Sequence, residues 1–233
     1  MFFLKWSLSE KKQLYRELEK DLVKNIRPFN FIRWKNKVCY FTGIIDNKAV
    51  FIKSEGITNN IEREKNSMHY AYNNSIFLKQ HMPKLIETSN NIIIQEMIKG
   101  KSLTTFRHVS HTMQDSIICQ LFEVYTELKR IGILHLDIRP QNFIVADGNI
   151  LFIIDFGYAL VNSYNLYEKL KMTNRTKNIL KNLGSVYAPK NGTLDDAYSM
   201  LLTMKFVCPE LIHRYPGIWK QLNEDIGTRV VKL

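Results

Sequence analysis

Residues 134–144 read LHLDIRPQNFI, with Asp137 two places after His135 and Asn142 five places after Asp137. Beyond them the apolar runs FIV (143–145) and ILFII (150–154) flank ADGN, a hairpin signal, and Asp155 follows the second run. The midpoint of positions 142 and 155 falls at Gly148–Asn149, inside the turn. Antiparallel pairing is therefore expected to bring Asn142 and Asp155 level at one mouth. Two hard oxygen ligands there suit Mg²⁺ beside nucleotide phosphates. Asp137, in the loop ahead of the hairpin, would take the proton of an incoming hydroxyl. The opposing reading is a polar turn between two apolar strands.

The elements that must hold these residues are legible in outline. Ser7 and Glu10 have capping-box spacing, and Leu14, Leu18 and Leu22 repeat at helical spacing. An N-terminal helix is expected to about Lys24, closed by Pro28. The texture then changes to strands, FNFIRW (29–34), VCYFTGII (38–45) and AVFIK (49–53), with KNK and DNK as turns. IEREKNSMHYAYNN (61–74) reads as a helix and NIIIQEMI (91–98) as a short buried strand. In residues 113–132, Ile117, Leu121, Val124, Tyr125 and Leu128 share one helical face and Gly132 supplies the cap. From Leu194 the chain reads as helical with two proline breaks. Strands first and helices after predict an α+β chain of two lobes, divided near Lys99–Ser102.

A chain of 233 residues can bury a full core. Its 33 Lys+Arg against 22 Asp+Glu give +11. That charge suits anionic partners, although scattered lysines also describe an ordinary solvated surface. Cys39, Cys119 and Cys208 have neither disulfide nor zinc spacing, so a reducing cytoplasm is expected. The start MFFLKWSLSE is too short an apolar run for a signal peptide, and no stretch approaches a membrane span. His108 and His111 lack a third ligand nearby and read as loop residues. Trp6, Trp34 and Trp219 are isolated and read as packing. No nucleic-acid motif accompanies the charge, and no nucleic-acid partner is expected.

The combined pattern resembles the protein-kinase-like fold. HLDIRPQN is similar to its catalytic loop, and DFG (155–157) to its metal-binding motif. VFIK ends at Lys53, which resembles the strand lysine that pairs the nucleotide phosphates. Glu64 resembles that lysine's ion-pair partner, with Glu62 the alternative. IIIQEMIKG is similar to the strand and hinge that hold adenine through backbone groups, here at Glu96 and Met97. DDAYSM resembles the helix whose aspartate, Asp196, braces the catalytic loop. The resemblance covers residues 29–205. It implies a bilobal α+β fold: an N-terminal helix over 1–28, a small antiparallel-sheet N-lobe over 29–99 and a reduced helical C-lobe over 100–233. It also implies ATP and Mg²⁺, with Lys53 on the α- and β-phosphates, Asn142 and Asp155 on the metal and Asp137 as proton acceptor.

Departures from the pattern bear on the acceptor. No glycine-rich loop precedes Lys53, so a KNK hairpin would have to cover the phosphates; a degenerate, nucleotide-binding scaffold is the non-enzymatic alternative. Phe51 stands two before the lysine and would face the base, as in aminoglycoside phosphotransferase-like kinases, or else it is core packing. Arg139-Pro140 resembles the Lys-Pro of serine/threonine kinases, whose cation steadies the γ-phosphate. GSVYAPK (184–190) is similar to the end of an activation segment, with Lys190 where a glutamate belongs. A short basic chain of this kind looks most like kinases of lipopolysaccharide cores and surface polysaccharides. That implies an anionic glycan or glycolipid acceptor, with the enzyme peripheral at the inner membrane surface. The alternative acceptor is a protein hydroxyl.

Overall fold

The computed structural model describes residues 16, 18, 23–29, 38–55, 60–89, 92–107, 109–161, 187–189 and 193–232. The chain divides into two compact units, residues 1–65 with 83–97 and residues 66–82 with 98–233. Residues 66–82 thus group with the second unit, although they precede the division expected near Lys99.

The first unit is built on an antiparallel sheet. β1 (Lys24–Pro28), β2 (Val38–Ile45), β3 (Lys48–Glu55), β4 (Leu85–Ser89) and β5 (Ile92–Glu96) lie in the order β1-β2-β3-β5-β4. Asp46 and Asn47 turn β2 into β3 with φ of 47° and 62°, the left-handed pair that a two-residue hairpin favours. Pleating then sorts the side chains. Cys39, Phe41, Val50, Ile52, Ile92 and Ile94 form one core face with Leu18 and Val23. Register puts Tyr40, Lys53 and Ile93 in one row of the opposite face, and Thr42, Phe51 and Gln95 in the next. Gly43 is required in β2 because a Cβ there would run into the Val23 side chain.

The N-terminal expectation needs correcting in part. Arg16 and Leu18 are helical, and most of the helix expected before Lys24 lies outside the described residues. Lys24–Pro28, placed at its closing end, is instead an edge strand paired with β2 across a bulge between Lys24 and Arg27. Val23 packing into the core starts this strand, while mostly exposed side chains leave no apolar repeat to announce it. Of the strand expected over 29–34 only Phe29 is described, and its N–H donates to Tyr40 O at 2.9 Å. The KNK turn (35–37) lies outside the described residues.

α1 (Asn60–Asn74) gives Ile61 and Glu64 to the first unit and Ser67, Met68 and Ala71 to the second. In the second unit α2 (Ile76–Gln80) is capped by Ser75, whose Oγ accepts from Leu78 N and donates to Glu127. β6 (Gly100–Ser102) precedes α3 (His111–Arg130), which Ser110 caps. α3 buries the expected stripe of Ile117, Leu121, Val124, Tyr125 and Leu128, and Gly132 follows at φ 76°. β7 (Ile133–Leu134) pairs with β10 (Leu160–Val161), and β8 (Phe143–Ala146) pairs with β6 and with β9 (Leu151–Ile153). β11 (Thr193–Asp195) leads into α4 (Asp196–Val207), buried nearly all round and packed on α3 and on α6 (Pro216–Asp225). α5 (Leu211–Arg214) lies between α4 and α6 in sequence. The tail was expected to be helical with two proline breaks; it ends in β12 (Val230–Lys232), paired with β11. Among the described residues no helix is long and apolar enough to cross a membrane.

Candidate active site

Strand alternation puts Lys53 on the face of the first unit's sheet opposite the aliphatic core. There its Nζ meets Glu64 of α1 at 2.5 Å. Both are buried, at 8% and 2% exposure, which makes the pairing costly to break from either side. The alternative partner, Glu62, is exposed. Phe51 shares this face, and its ring is engaged by aromatic neighbours, edge-on to Phe29 at 5.2 Å and stacked on Tyr40 at 5.8 Å. At Glu96 and Met97 both N–H groups are committed, to Lys84 O at 2.9 Å and Ala49 O at 3.2 Å. Recognition of a base by these two residues would therefore fall to their carbonyls.

In the second unit the loop after β7 is fixed residue by residue. Asp196 accepts from His135 N at 2.6 Å and from Leu136 N at 2.9 Å. Leu136 takes φ 63°, a left-handed bend that a branched side chain adopts only where its surroundings enforce it. Asp137 follows, buried, and Asn142 Nδ2 donates to both its carbonyl (2.8 Å) and its carboxylate (2.7 Å). Arg139 Nη2 lies 3.1 Å from the same carboxylate. The one-turn helix Pro140–Asn142, closed by Asn142 N–H on Arg139 O at 2.9 Å, sets this spacing of five.

The hairpin differs from expectation by one residue. Phe143 stands opposite Ile153 and Val145 opposite Leu151, so Asn142 aligns with Ile154, whose N–H donates to Asn142 O at 3.0 Å. The turn causes the offset: Gly148 and Asn149 both take left-handed φ, and Ala146 N–H closes on Ile150 O at 2.8 Å. In an extended strand a one-residue slip turns a side chain to the other face. Asp155 is not extended; at φ 64° it leaves the pleat as the strand ends.

Burial sets the electrostatics. His135 is fully buried, and loss of solvent pushes its imidazole down to about 4, against the upward pull of Asp155. Its ring lies edge-on to Phe156 at 4.9 Å. Burial lifts Asp196 to about 6, opposed by the two loop N–H groups and by Arg229. Asn142 spends its amide hydrogens on Asp137, and its Oδ1 accepts no hydrogen bond among the described residues. Its Oδ1 and the Asp155 carboxylate are the hard donors that Mg²⁺ takes while keeping several waters, so the residues fit that ion. Among the described residues no group of three His, Cys, Asp or Glu forms a metal cluster.

Some parts of this arrangement were not read from the sequence. Asp195 caps α4 through Ala197 N and Tyr198 N and also accepts from Gly227 N; an aspartate ahead of an apolar helical run was the available signal. Ser199 donates to Tyr187 O at 2.7 Å, and no local pattern foretells that. Lys190 and His108 lie outside the described residues.

The Lys–Glu pair of the first unit and, taken by itself, the second unit's Asp–Asn loop braced by a helical aspartate are each kinase-like features. Residues 39–184, more than half of the chain, match the model of the ABC1 atypical kinase-like domain. The chain belongs to that family, and its fold is the α+β kinase-like one. It is also similar to a probable dual specificity protein kinase YAK1 homolog of Encephalitozoon cuniculi, at 31% identity over 80 residues, 31% of this chain and 20% of the relative. To serine/threonine-protein kinase D of Synechocystis sp. it is 33% identical over 81 residues, 33% of this chain and 16% of the relative. The chain thus matches a fifth or less of these relatives' own lengths. These likenesses are to the kinase-like fold.

Proposed function

We propose that the protein is an ATP-dependent phosphotransferase with an alcohol acceptor. One observation carries this reading: Asp137 is buried, oriented by Asn142 and Arg139, in a loop braced at two N–H groups by Asp196. Lys53, held by Glu64, orients the α- and β-phosphates of ATP as substrate. Asn142 and Asp155 would hold Mg²⁺, which would neutralise charge on the phosphates. Asp137 accepts a hydrogen bond from the acceptor hydroxyl and takes its proton late. A late transfer suits a loose transition state, in which positioning matters more than early deprotonation. Arg139 supplies positive charge to the phosphoryl group in transit.

For the acceptor we propose a sugar hydroxyl of an anionic cell-envelope glycan, such as a lipopolysaccharide core, supported by the +11 charge. The enzyme would then work in the cytoplasm, peripheral at the membrane surface. A protein hydroxyl is the second reading, supported by Arg139 beside Pro140 and by the two kinase-named relatives. Incubation with γ-labelled ATP, isolated lipopolysaccharide and mixed protein substrates separates them. Label in glycan is the expected result, and label in protein alone selects the second reading. ATP binding without transfer to either overturns the enzymatic proposal in favour of a scaffold.

A further inference from the structure

Strand β12 and the turn before it sit against the start of the catalytic loop, although no kinase-like motif includes them. Val231 clusters with Leu134, Leu136, Leu160 and Leu194. β12 pairs residue for residue with β11, directly ahead of Asp196, and Gly227 N–H donates to Asp195 at 2.7 Å. Arg229 donates from Nη2 to the Ile133 carbonyl at 2.9 Å. We infer that Arg229, immediately ahead of β12, is a positioning residue for the reaction: with Val231 of β12 it holds the Ile133–Asp137 stretch, through the Ile133 carbonyl and the Leu134–Leu136 packing. The inference deepens the phosphotransferase reading and rests on it.

Two separate arguments support a role beyond plain packing. Ile133 and Leu134 already pair with β10, so the Arg229 bond is an additional restraint four residues from the proposed base. Arg229 also brings a cation near buried Asp196, whose ionised form accepts both loop N–H groups. The other titratable groups that feel Arg229 are Tyr125 of α3 and Asp225 of α6, while Asp195 of β11 acts on Asp196 itself. Asp225 has its own cation in Lys129 at 2.6 Å. Removing the Arg229 charge also acts on Asp196, in the direction that raises its proton affinity. A protonated Asp196 gives up one acceptor oxygen, and the left-handed bend at Leu136 loses support.

The test uses the full chain with Arg229→Met and Arg229→Lys, read by amide hydrogen exchange and by transfer kinetics. In Arg229→Met, exchange over 133–137 is expected to rise about tenfold or more while distant helices keep their protection. The kcat is expected to fall about tenfold with KM for ATP within about twofold, since Lys53 and Glu64 lie in the other unit. The acid limb of the kcat–pH profile should move to higher pH, a shift that lost packing alone would not produce. Arg229→Lys, which keeps the charge and one donor, should fall between. Unchanged exchange over 133–137, or a lower kcat with no displacement of the pH profile, overturns the proposal. Should Arg229→Met not fold, Val231→Ala carries the exchange test, with the same local rise expected and its absence fatal. A wild-type chain that transfers no phosphate instead overturns the phosphotransferase reading, and exchange still decides whether Arg229 holds the loop.

Discussion

At the scale of single residues, the buried Lys53–Glu64 pair and the buried Asp196 make separable predictions. Glu64→Leu takes from Lys53 its 2.5 Å partner inside the first unit. Breaking one side of a buried pair costs about 3–5 kcal/mol, whereas replacing both partners by apolar groups is often close to neutral. Chemical denaturation should therefore show a large loss for Glu64→Leu and recovery in Lys53→Met/Glu64→Leu. Equal losses in both would contradict the pairing. Asp196, raised from 3.8 to about 6, contributes stability most fully below the lower value and loses it as pH rises through the upper. His135, lowered from 6.5 to about 4, contributes above 6.5 and loses that as pH falls through 4. The two oppose each other across the same window. Asp196→Asn removes one of them, so its thermal midpoint should fall more steeply than wild type on acidification from pH 6.5 to 4. A slope matching wild type would show that Asp196 is not the titrating brace. Residue chemistry of this kind was legible because types and spacings such as D-x₄-N are local. Arg229 was not, because its meaning lies in a carbonyl 96 positions away.

At the scale of elements, close approaches decide what the sequence can and cannot reveal. Gly100 pairs with Ala146 across β6 and β8, and a Cβ built there would sit 2.5 Å from Val145 O. Backbone cannot yield as a side-chain tip can, so Gly100→Ala should destabilise by about 1–3 kcal/mol. A calorimetric scan in which Gly100→Ala melts with wild type would refute that placement. The β8–β9 hairpin was foreseen from FIV-ADGN-ILFII, and the stripe of α3 from its 3.6-residue spacing. Register was off by one, since left-handed Gly148 and Asn149 place the turn in a way that counting from the ends does not capture. β1 and β12 were missed for another reason. Short edge strands with little alternation derive their conformation from their neighbours, and a window of their own residues carries no period.

At the scale of the whole molecule, family membership rests on residues 39–184, and the order of the motifs along the chain was enough to anticipate the kinase-like fold, though not the family. Phosphoryl transfer asks for little covalent chemistry from the protein, so the motifs that survive in sequence are those that position charge. Acceptor choice is a property of surfaces, and a net charge of +11 suits anionic partners without naming one. The central claim is that Asp137 sits where a hydroxyl is phosphorylated. Its most direct measurement is single-turnover transfer from γ-labelled Mg·ATP to the acceptor fraction, wild type against Asp137→Asn at equal ATP occupancy. Transfer by wild type is expected, with a rate about 10²–10⁴-fold lower in the variant and ATP affinity little changed. Equal rates from the two proteins would contradict it.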